Sequence, residues 1–269
     1  MTAFLGSGEL ARRCALALLV AASCLLPAGP AAAQPAAVPE AGWRLHLTGY
    51  GWFASTAGIV GAGGVTGKVD DGFLDTLRQT DSLIGLMGRA ELRRGRLGLF
   101  VDGQHTRLGY DDVRVGPLTI DAESRLTTVE FGAAWQVAGA AAADPPPGSW
   151  ALDVLGGGRW TRARNELRFA VGVGGDSTAD WVDPFVGLRL RGRLSERWEY
   201  ALRGDVGGGV GGSRFAWQAA ATLGYGFELF GLQATALAGY RALSQDYESR
   251  RLTYDVTLHG PLIGLNLRF

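Results

Sequence analysis

The chain has 269 residues, with 26 basic and 26 acidic side chains, so its formal net charge is zero and no basic field indicates a nucleic-acid partner. Its 42 glycines follow no three-residue period, which excludes a collagen-like chain and fits a β protein with tight turns. Both cysteines, Cys14 and Cys24, lie near the start, so the rest of the chain has no disulfide framework and no thiolate chemistry.

The first residues have the order of signals that is typical of a secretory signal peptide. Arg12-Arg13 precede an apolar run, Pro27 interrupts it, and Ala31-Ala32-Ala33 supplies a small-residue cleavage pattern. The run is shorter than the ~20 apolar residues that a membrane-spanning helix needs. We therefore expect a signal peptide at 1–33, a short periplasmic segment at 34–42 and an exported domain at 43–269.

A lipoprotein signal at Cys24 is the alternative. Ala21-Ala22-Ser23 before this cysteine loosely resembles a lipoprotein cleavage site, but Ala21 occupies the position where such sites usually carry leucine. The cleavage pattern after Ala33 is the stronger signal.

Ten segments of about ten residues each alternate apolar with polar side chains, which is the pattern of a transmembrane β-strand with one face in lipid and one in the lumen. In chain order they are Trp43–Phe53, Ile84–Arg93, Leu97–Gln104, Thr127–Gln136, Trp150–Arg159, Val182–Arg191, Trp198–Asp205, Phe215–Phe227, Leu232–Arg241 and Tyr254–Phe269.

The last segment changes phase part of the way along. Ile263, Leu265, Leu267 and Phe269 share one apolar face, whereas upstream Tyr254, Val256 and Leu258 are apolar on the opposite parity. A β-bulge at Gly260-Pro261 would absorb this change, since bulges tolerate both residue types.

The connections between the segments alternate in length. Short joints occur at Arg93–Arg96, Leu194–Arg197 and Gly226–Leu229, and long ones at Ala54–Leu83, Leu108–Ser124 and Thr161–Asp180. Helical spacing predicts a short helix at Gly72–Gln79 within the first long joint. Short turns at one end and long loops at the other are typical of bacterial outer-membrane barrels. We expect an all-β, antiparallel up-and-down transmembrane barrel of ten strands, with eight or twelve as alternatives, closed by pairing of the last strand with the first.

Several stretches resemble uncharacterised outer-membrane β-barrel proteins of proteobacteria, in the style of small porin-like barrels. These are Glu91–Asp102, Leu152–Trp160, Trp181–Leu190, Leu202–Gly208, Gly239–Tyr247 and Asp255–Phe269. The resemblance covers most of the exported part and implies the fold and a location in the cell outer membrane, but it brings no activity. It also implies that the terminal aromatic Phe269 is the signal read by the barrel-assembly machinery.

The strand phases predict a cluster of mixed charges inside the barrel. A salt-bridged plug is the simplest arrangement, because an unpaired charge there would cost several kcal/mol. An ion or solute path is the alternative, since a ten-stranded lumen is intermediate between filled and open barrels. The predicted lumen residues are Arg89, Glu91, Arg93, Asp102, Glu130, Asp153, Arg159, Asp183, Arg189, Arg191, Arg203, Asp205 and Arg241.

Catalytic and metal-binding patterns are weak. His46, His105 and His259 are the only histidines, none has a serine partner in a hydrolase arrangement, and no spacing suggests a zinc site. We therefore expect no enzyme and no cofactor, with a lipid-modifying enzyme as a remote alternative. The sequence favours a monomer in contact with outer-membrane lipid, in a structural or surface-contact role, with a narrow diffusion pore as the rival function.

Overall fold

A computed structural model describes residues 42–62, 65–71, 82–115, 118–140, 146–169, 174–209, 212–249 and 252–269. The predicted signal peptide and the predicted helix Gly72–Gln79 lie outside these ranges. Within them, no helix has the length and apolar character needed to cross a bilayer.

Twelve β-strands make up the described structure, and every pairing between them is antiparallel. In chain order they are β1 (Arg44–Trp52), β2 (Ser55–Ala62), β3 (Val65–Asp71), β4 (Ser82–Arg94), β5 (Leu97–Val115), β6 (Leu118–Gly139), β7 (Trp150–Phe169), β8 (Gly174–Arg193), β9 (Trp198–Gly207), β10 (Phe215–Leu229), β11 (Leu232–Glu248) and β12 (Leu252–Arg268).

The sheet closes on itself through β12. Its first half, Leu252–His259, pairs with β2, and its second half, Leu262–Arg268, pairs with β1. The register is the same on both sides of the Phe53–Ala54 break, so β1 and β2 together act as one barrel strand. β4 pairs with β1 and each later strand pairs with the next, while β3 is an additional strand beside β2. The closed antiparallel ten-strand barrel expected from the sequence is confirmed.

The outer wall of the barrel carries an apolar band. We call the end that holds Arg44 and Arg268 the lower end. Along β5 to β9, alternate side chains are exposed and apolar, and an aromatic row follows the lower edge. Bands of this kind, bordered by aromatic residues, are typical of barrels in contact with lipid. Exposed band residues include Leu99, Val101, Phe131, Val154, Val186, Leu188 and Leu202, and the lower row includes Trp43, Trp135, Trp150, Trp198, Phe227 and Phe269.

The wall is taller on one side. β5 to β8 have 19 to 22 residues each, whereas β1 has 9 and β9 has 10. The prediction of long loops at Leu108–Ser124 and Thr161–Asp180 is therefore wrong, because the strands continue through most of both segments. The adjacent strands extend together and supply hydrogen-bond partners to one another, so the sheet persists beyond the apolar band.

The prediction of a β-bulge at Gly260-Pro261 is also wrong. β11 and β12 pair without a register shift from Gln233↔Arg268 to Glu248↔Thr253. The side chains of Tyr254 and Val256 are buried, and so is that of Leu262 on the same parity. The strand therefore keeps one phase, and it is the environment that changes along it. Above the apolar band, apolar side chains point into the barrel rather than out of it.

Those inward side chains form an apolar core at the upper end. Ala163 and Trp181 from one wall meet Tyr254 and Val256 from the other. The Trp181 ring stacks on Tyr247 with centroids 4.2 Å apart and lies 5.7 Å from the Tyr254 ring. Packing of this kind joins the two walls near the upper end.

Replacing Trp181 with alanine is expected to lower the free energy of unfolding by about 3–5 kcal/mol, as for other buried tryptophans. The matched control is Phe230→Ala, since Phe230 is 96% exposed in the turn between β10 and β11 and its loss should change stability by less than about 0.5 kcal/mol. Denaturant unfolding of both refolded variants checks this. Equal midpoints would contradict the assignment of an upper core.

Candidate functional site

The lower half of the lumen is built around two carboxylates, Glu91 on β4 and Asp153 on β7. Arg189 on β8 donates to both of them, with distances of 2.6 Å to Glu91 and 2.8 Å to Asp153. Arg93 also contacts both, at 2.8 Å and 3.3 Å. Arg191 donates through Nε to Asp153 at 3.1 Å. Shared acceptors of this kind hold the guanidinium groups close together in a buried space.

The upper half of the network joins three arginines to three carboxylates, Glu130, Asp205 and Asp102, the last of which lies 3.9 Å from Arg241. Arg159 on β7 is 0% exposed and donates to Glu130 at 2.9 Å and to Asp205 at 2.7 Å. Arg203 on β9 binds the second oxygen of each of those carboxylates at 2.8 Å. Arg241 on β11 reaches across the lumen to Glu130 at 3.1 Å. Buried charges of opposite sign are thereby paired, which is the condition for their burial.

Arg89 connects the two halves. Its Nη2 donates to Glu91 Oε2 at 2.8 Å, and its Nη1 lies 3.5 Å from Asp102 Oδ2. Tyr50 donates to the other oxygen of Asp102 at 2.6 Å. The result is one continuous network, which we call the lumen network. It contains Arg89, Glu91, Arg93, Asp102, Glu130, Asp153, Arg159, Arg189, Arg191, Arg203, Asp205 and Arg241.

Two phenylalanine rings fill the space between these charges. Phe100 and Phe185 pack with Ala134 and Leu155 in a buried cluster. The Arg203 guanidinium lies 5.6 Å from the Phe100 ring centroid and 5.5 Å from that of Phe185. A Cβ atom at Gly132 would lie 2.4 Å from the Gly156 carbonyl oxygen and 3.1 Å from Phe100, so only glycine leaves room here.

Asp183, which the strand phase also places in the lumen, belongs to a separate site. It is 0% exposed, and its carboxylate accepts hydrogen bonds from Trp181 Nε1, Gln245 Nε2 and both the backbone N and the hydroxyl of Ser213. Within the described ranges, none of these donors is an arginine of the lumen network. Its donors come from β8, β11 and the segment before β10, so the carboxylate anchors that segment beside β8.

Three uncharged residues that bind the network are not among the residues predicted from the sequence. Tyr50 and Gln218 both bind Arg241, at 3.0 Å and 2.8 Å, and Gln136 accepts from Arg191 at 2.9 Å. The phase of their strands places all three on the lumen side, so the signal was available. Their side-chain oxygens accept hydrogen bonds from arginine N–H groups that the carboxylates do not bind.

The histidines and Phe269 lie elsewhere. His105 Nδ1 is 2.8 Å from the Thr127 hydroxyl, and His259 Nδ1 is 2.7 Å from the Tyr240 hydroxyl, both on outward-facing parities. His46 faces the lumen near the lower end. Phe269 is 54% exposed and its backbone exchanges two hydrogen bonds with Leu45. Among the described residues, no cluster of three histidines, cysteines or carboxylates could hold a metal ion.

Replacing Arg159 with alanine is expected to lower the free energy of unfolding by about 3–5 kcal/mol, because it leaves two buried carboxylates short of a partner. Arg214 offers a matched control: it binds Asp246 and Glu248 with a side chain that is 63% exposed, so Arg214→Ala should change the free energy of unfolding very little. Denaturant midpoints of both refolded variants give the comparison. A similar small loss for both would show that the lumen network contributes little to stability.

Comparison with known proteins bears on the fold. No protein-family model and no curated protein matches the sequence. Among solved structures, the outer-membrane protease OmpT of Escherichia coli is similar with a TM-score of 0.54 and 10% identity, over 86% of this chain and 98% of that one. Ail of Yersinia pestis gives a TM-score of 0.39 at 12% identity, over 85% of this chain and 99% of that one. At these identities the likeness to OmpT concerns the fold alone: the chain is folded like an outer-membrane β-barrel protein.

Proposed function

We propose that this chain is an integral protein of the cell outer membrane whose lumen is closed, and that it has a structural or surface-contact role. The observation that carries the proposal is the lumen network, which crosses the barrel interior between nearly opposite strands. Arg189 on β8 binds Glu91 on β4, and Arg241 on β11 binds Glu130 on β6. With Phe100 and Phe185 packed into it, this network leaves little room for a solute at mid-height.

A membrane location is supported by the outer wall. Exposed apolar side chains there, such as Val186 at 57% and Val101 at 51%, would be costly to hydrate but are suited to lipid. The aromatic row at the lower edge is suited to the boundary between lipid and water. Because lipid offers no hydrogen-bond partners, closure of the sheet through β1 and β12 also fits this solvent.

The role at the cell surface is supported by the height of the wall. β5 to β8 continue above the apolar band, where the Trp181 core packs in the interior. Above the band the barrel therefore presents an outer sheet surface, and the described residues place apolar side chains across its interior. The proposal involves no enzymatic step.

A substitution in the apolar band tests the membrane location. Val186→Arg is expected to lower the free energy of unfolding in lipid vesicles by about 2–4 kcal/mol, because it places a cation at mid-bilayer, whereas at the edge of the band the cost falls to about 0–1 kcal/mol. Leu194→Arg is the control, since Leu194 is 59% exposed in the turn between β8 and β9. If both variants lost the same amount, the band would not be a lipid-facing surface.

Conductance tests the closed lumen against the rival function, a narrow passive diffusion pore. In planar bilayers the refolded protein is expected to give no discrete single-channel steps. A double variant, Arg203→Ala with Phe185→Ala, removes one guanidinium and one ring from the network and is expected to give steps, which also shows that the protein inserts.

Discrete steps from the unmodified protein would overturn the proposal of a closed lumen. A silent double variant, with its folded state and insertion established by heat-modifiable electrophoretic mobility in the recovered bilayer fraction, would overturn the assignment of Arg203 and Phe185 as the groups that close it.

A further inference from the structure

The lumen network contains more cations than anions. Seven guanidinium groups, those of Arg89, Arg93, Arg159, Arg189, Arg191, Arg203 and Arg241, share five carboxylates, those of Glu91, Asp102, Glu130, Asp153 and Asp205. The upper half is balanced at three of each, so the excess of two positive charges lies in the lower half. There, four arginines face Glu91 and Asp153.

This excess borders a cavity. A space of about 250 Å³ lies between the network and the lower end of the barrel. Its lining includes His46 and eight charged residues, six arginines and two glutamates. The charged residues are Arg89, Glu91, Arg93, Arg189, Arg191, Arg193, Glu199 and Arg268. Glu199 binds Arg268, which leaves Glu91 as the one lining carboxylate beside the four arginines of the lower half in the described part of the chain.

Among the described residues, the anions nearest to this excess do not supply the missing charge. Asp153 is 0% exposed behind the lining and already accepts from Arg93, Arg189 and Arg191. Asp183 does not line the cavity and is satisfied by neutral donors at another level of the barrel. Uncompensated positive charge in a semi-buried space is unfavourable unless an anion accompanies it.

We propose that this cavity binds a small anion with paired oxygens, a phosphate or a carboxylate, at the lower end of the barrel. Planar guanidinium groups match such oxygens in pairs, and Arg189, Arg191 and Arg93 approach one another around Asp153. The volume suits a small ligand, because sites for larger organic ligands occupy about 300–1,000 Å³. The lumen network closes the cavity on its upper side.

Anion-dependent unfolding of the full protein, refolded in detergent, tests this directly. Phosphate and succinate are each compared with chloride at equal ionic strength. We expect at least one of the two oxyanions to raise the unfolding temperature, and the difference between them assigns the ligand as phosphate-like or carboxylate-like. If neither raises it above the chloride value, the proposal is overturned.

Arg191→Gln provides the specific variant. Arg191 is the most exposed arginine of the network, at 27% for its side chain, so the barrel should tolerate its loss. Without added oxyanion, the variant is expected to unfold at the same temperature as the unmodified protein or higher, because one excess charge is gone. Its affinity for the effective oxyanion, measured by calorimetry, should fall by about tenfold or more, as expected for the loss of a charged hydrogen-bond donor.

Arg214→Gln is the matched control, since Arg214 forms its ion pairs on the outside of the barrel. It should bind the oxyanion as tightly as the unmodified protein. Equal affinity in Arg191→Gln and Arg214→Gln would overturn the assignment of the cavity as the site. Because these measurements need no conductance, their failure is distinguishable from failure of the closed-lumen proposal.

Discussion

The constraint on which this structure depends is that every backbone amide and carbonyl needs a hydrogen-bond partner within the protein wherever water cannot supply one. A sheet meets this requirement only when its two edges pair with each other, as β1 and β12 do through Trp52↔Leu262 to His46↔Arg268. Closure then forces alternate side chains into two different surroundings. The outward set is apolar along the band, and the inward set faces a narrow space from which bulk water is largely excluded.

The inward set explains why the lumen is organised as a network rather than as separate pairs. Charged groups in such a space need both opposite charge and several hydrogen bonds. Each carboxylate of the upper half binds more than one donor group, and Tyr50 and Gln218 provide bonds that the ions leave unfilled. In the lower half each carboxylate also binds several arginines, but four arginines share only two carboxylates.

The alternation in the sequence was sufficient to predict ten barrel strands and the inward direction of the charged residues. It could not predict where the strands leave the apolar band. The change of phase between Tyr254 and Ile263 favours a β-bulge when the sequence is considered alone. The sequence of one strand does not show whether its pairing register changes or its surroundings do. Only the partner strands, with Trp181 and Tyr247 opposite Tyr254, show that the interior is apolar at that level.

The sequence also does not predict which residue each charged side chain binds. Asp183 and Asp153 occupy inward positions on adjacent strands, yet one accepts from neutral donors and the other from three arginines. The difference depends on which side chains of the other strands lie within hydrogen-bond distance of each carboxylate. Pairs such as Arg241 and Glu130 are 111 residues apart, and no local pattern encodes them.

The shared use of β12 has a consequence for how the molecule is made. The bond between Asn266 and Thr48 joins positions 218 residues apart, and the same strand must engage β1 and β2 side by side. Until that seam forms, both terminal strands expose unsatisfied edges that invite association with other chains. Such long-range pairing is slow to find by diffusion. During folding, pairing of these two edges with a foreign strand therefore competes with closure of the barrel.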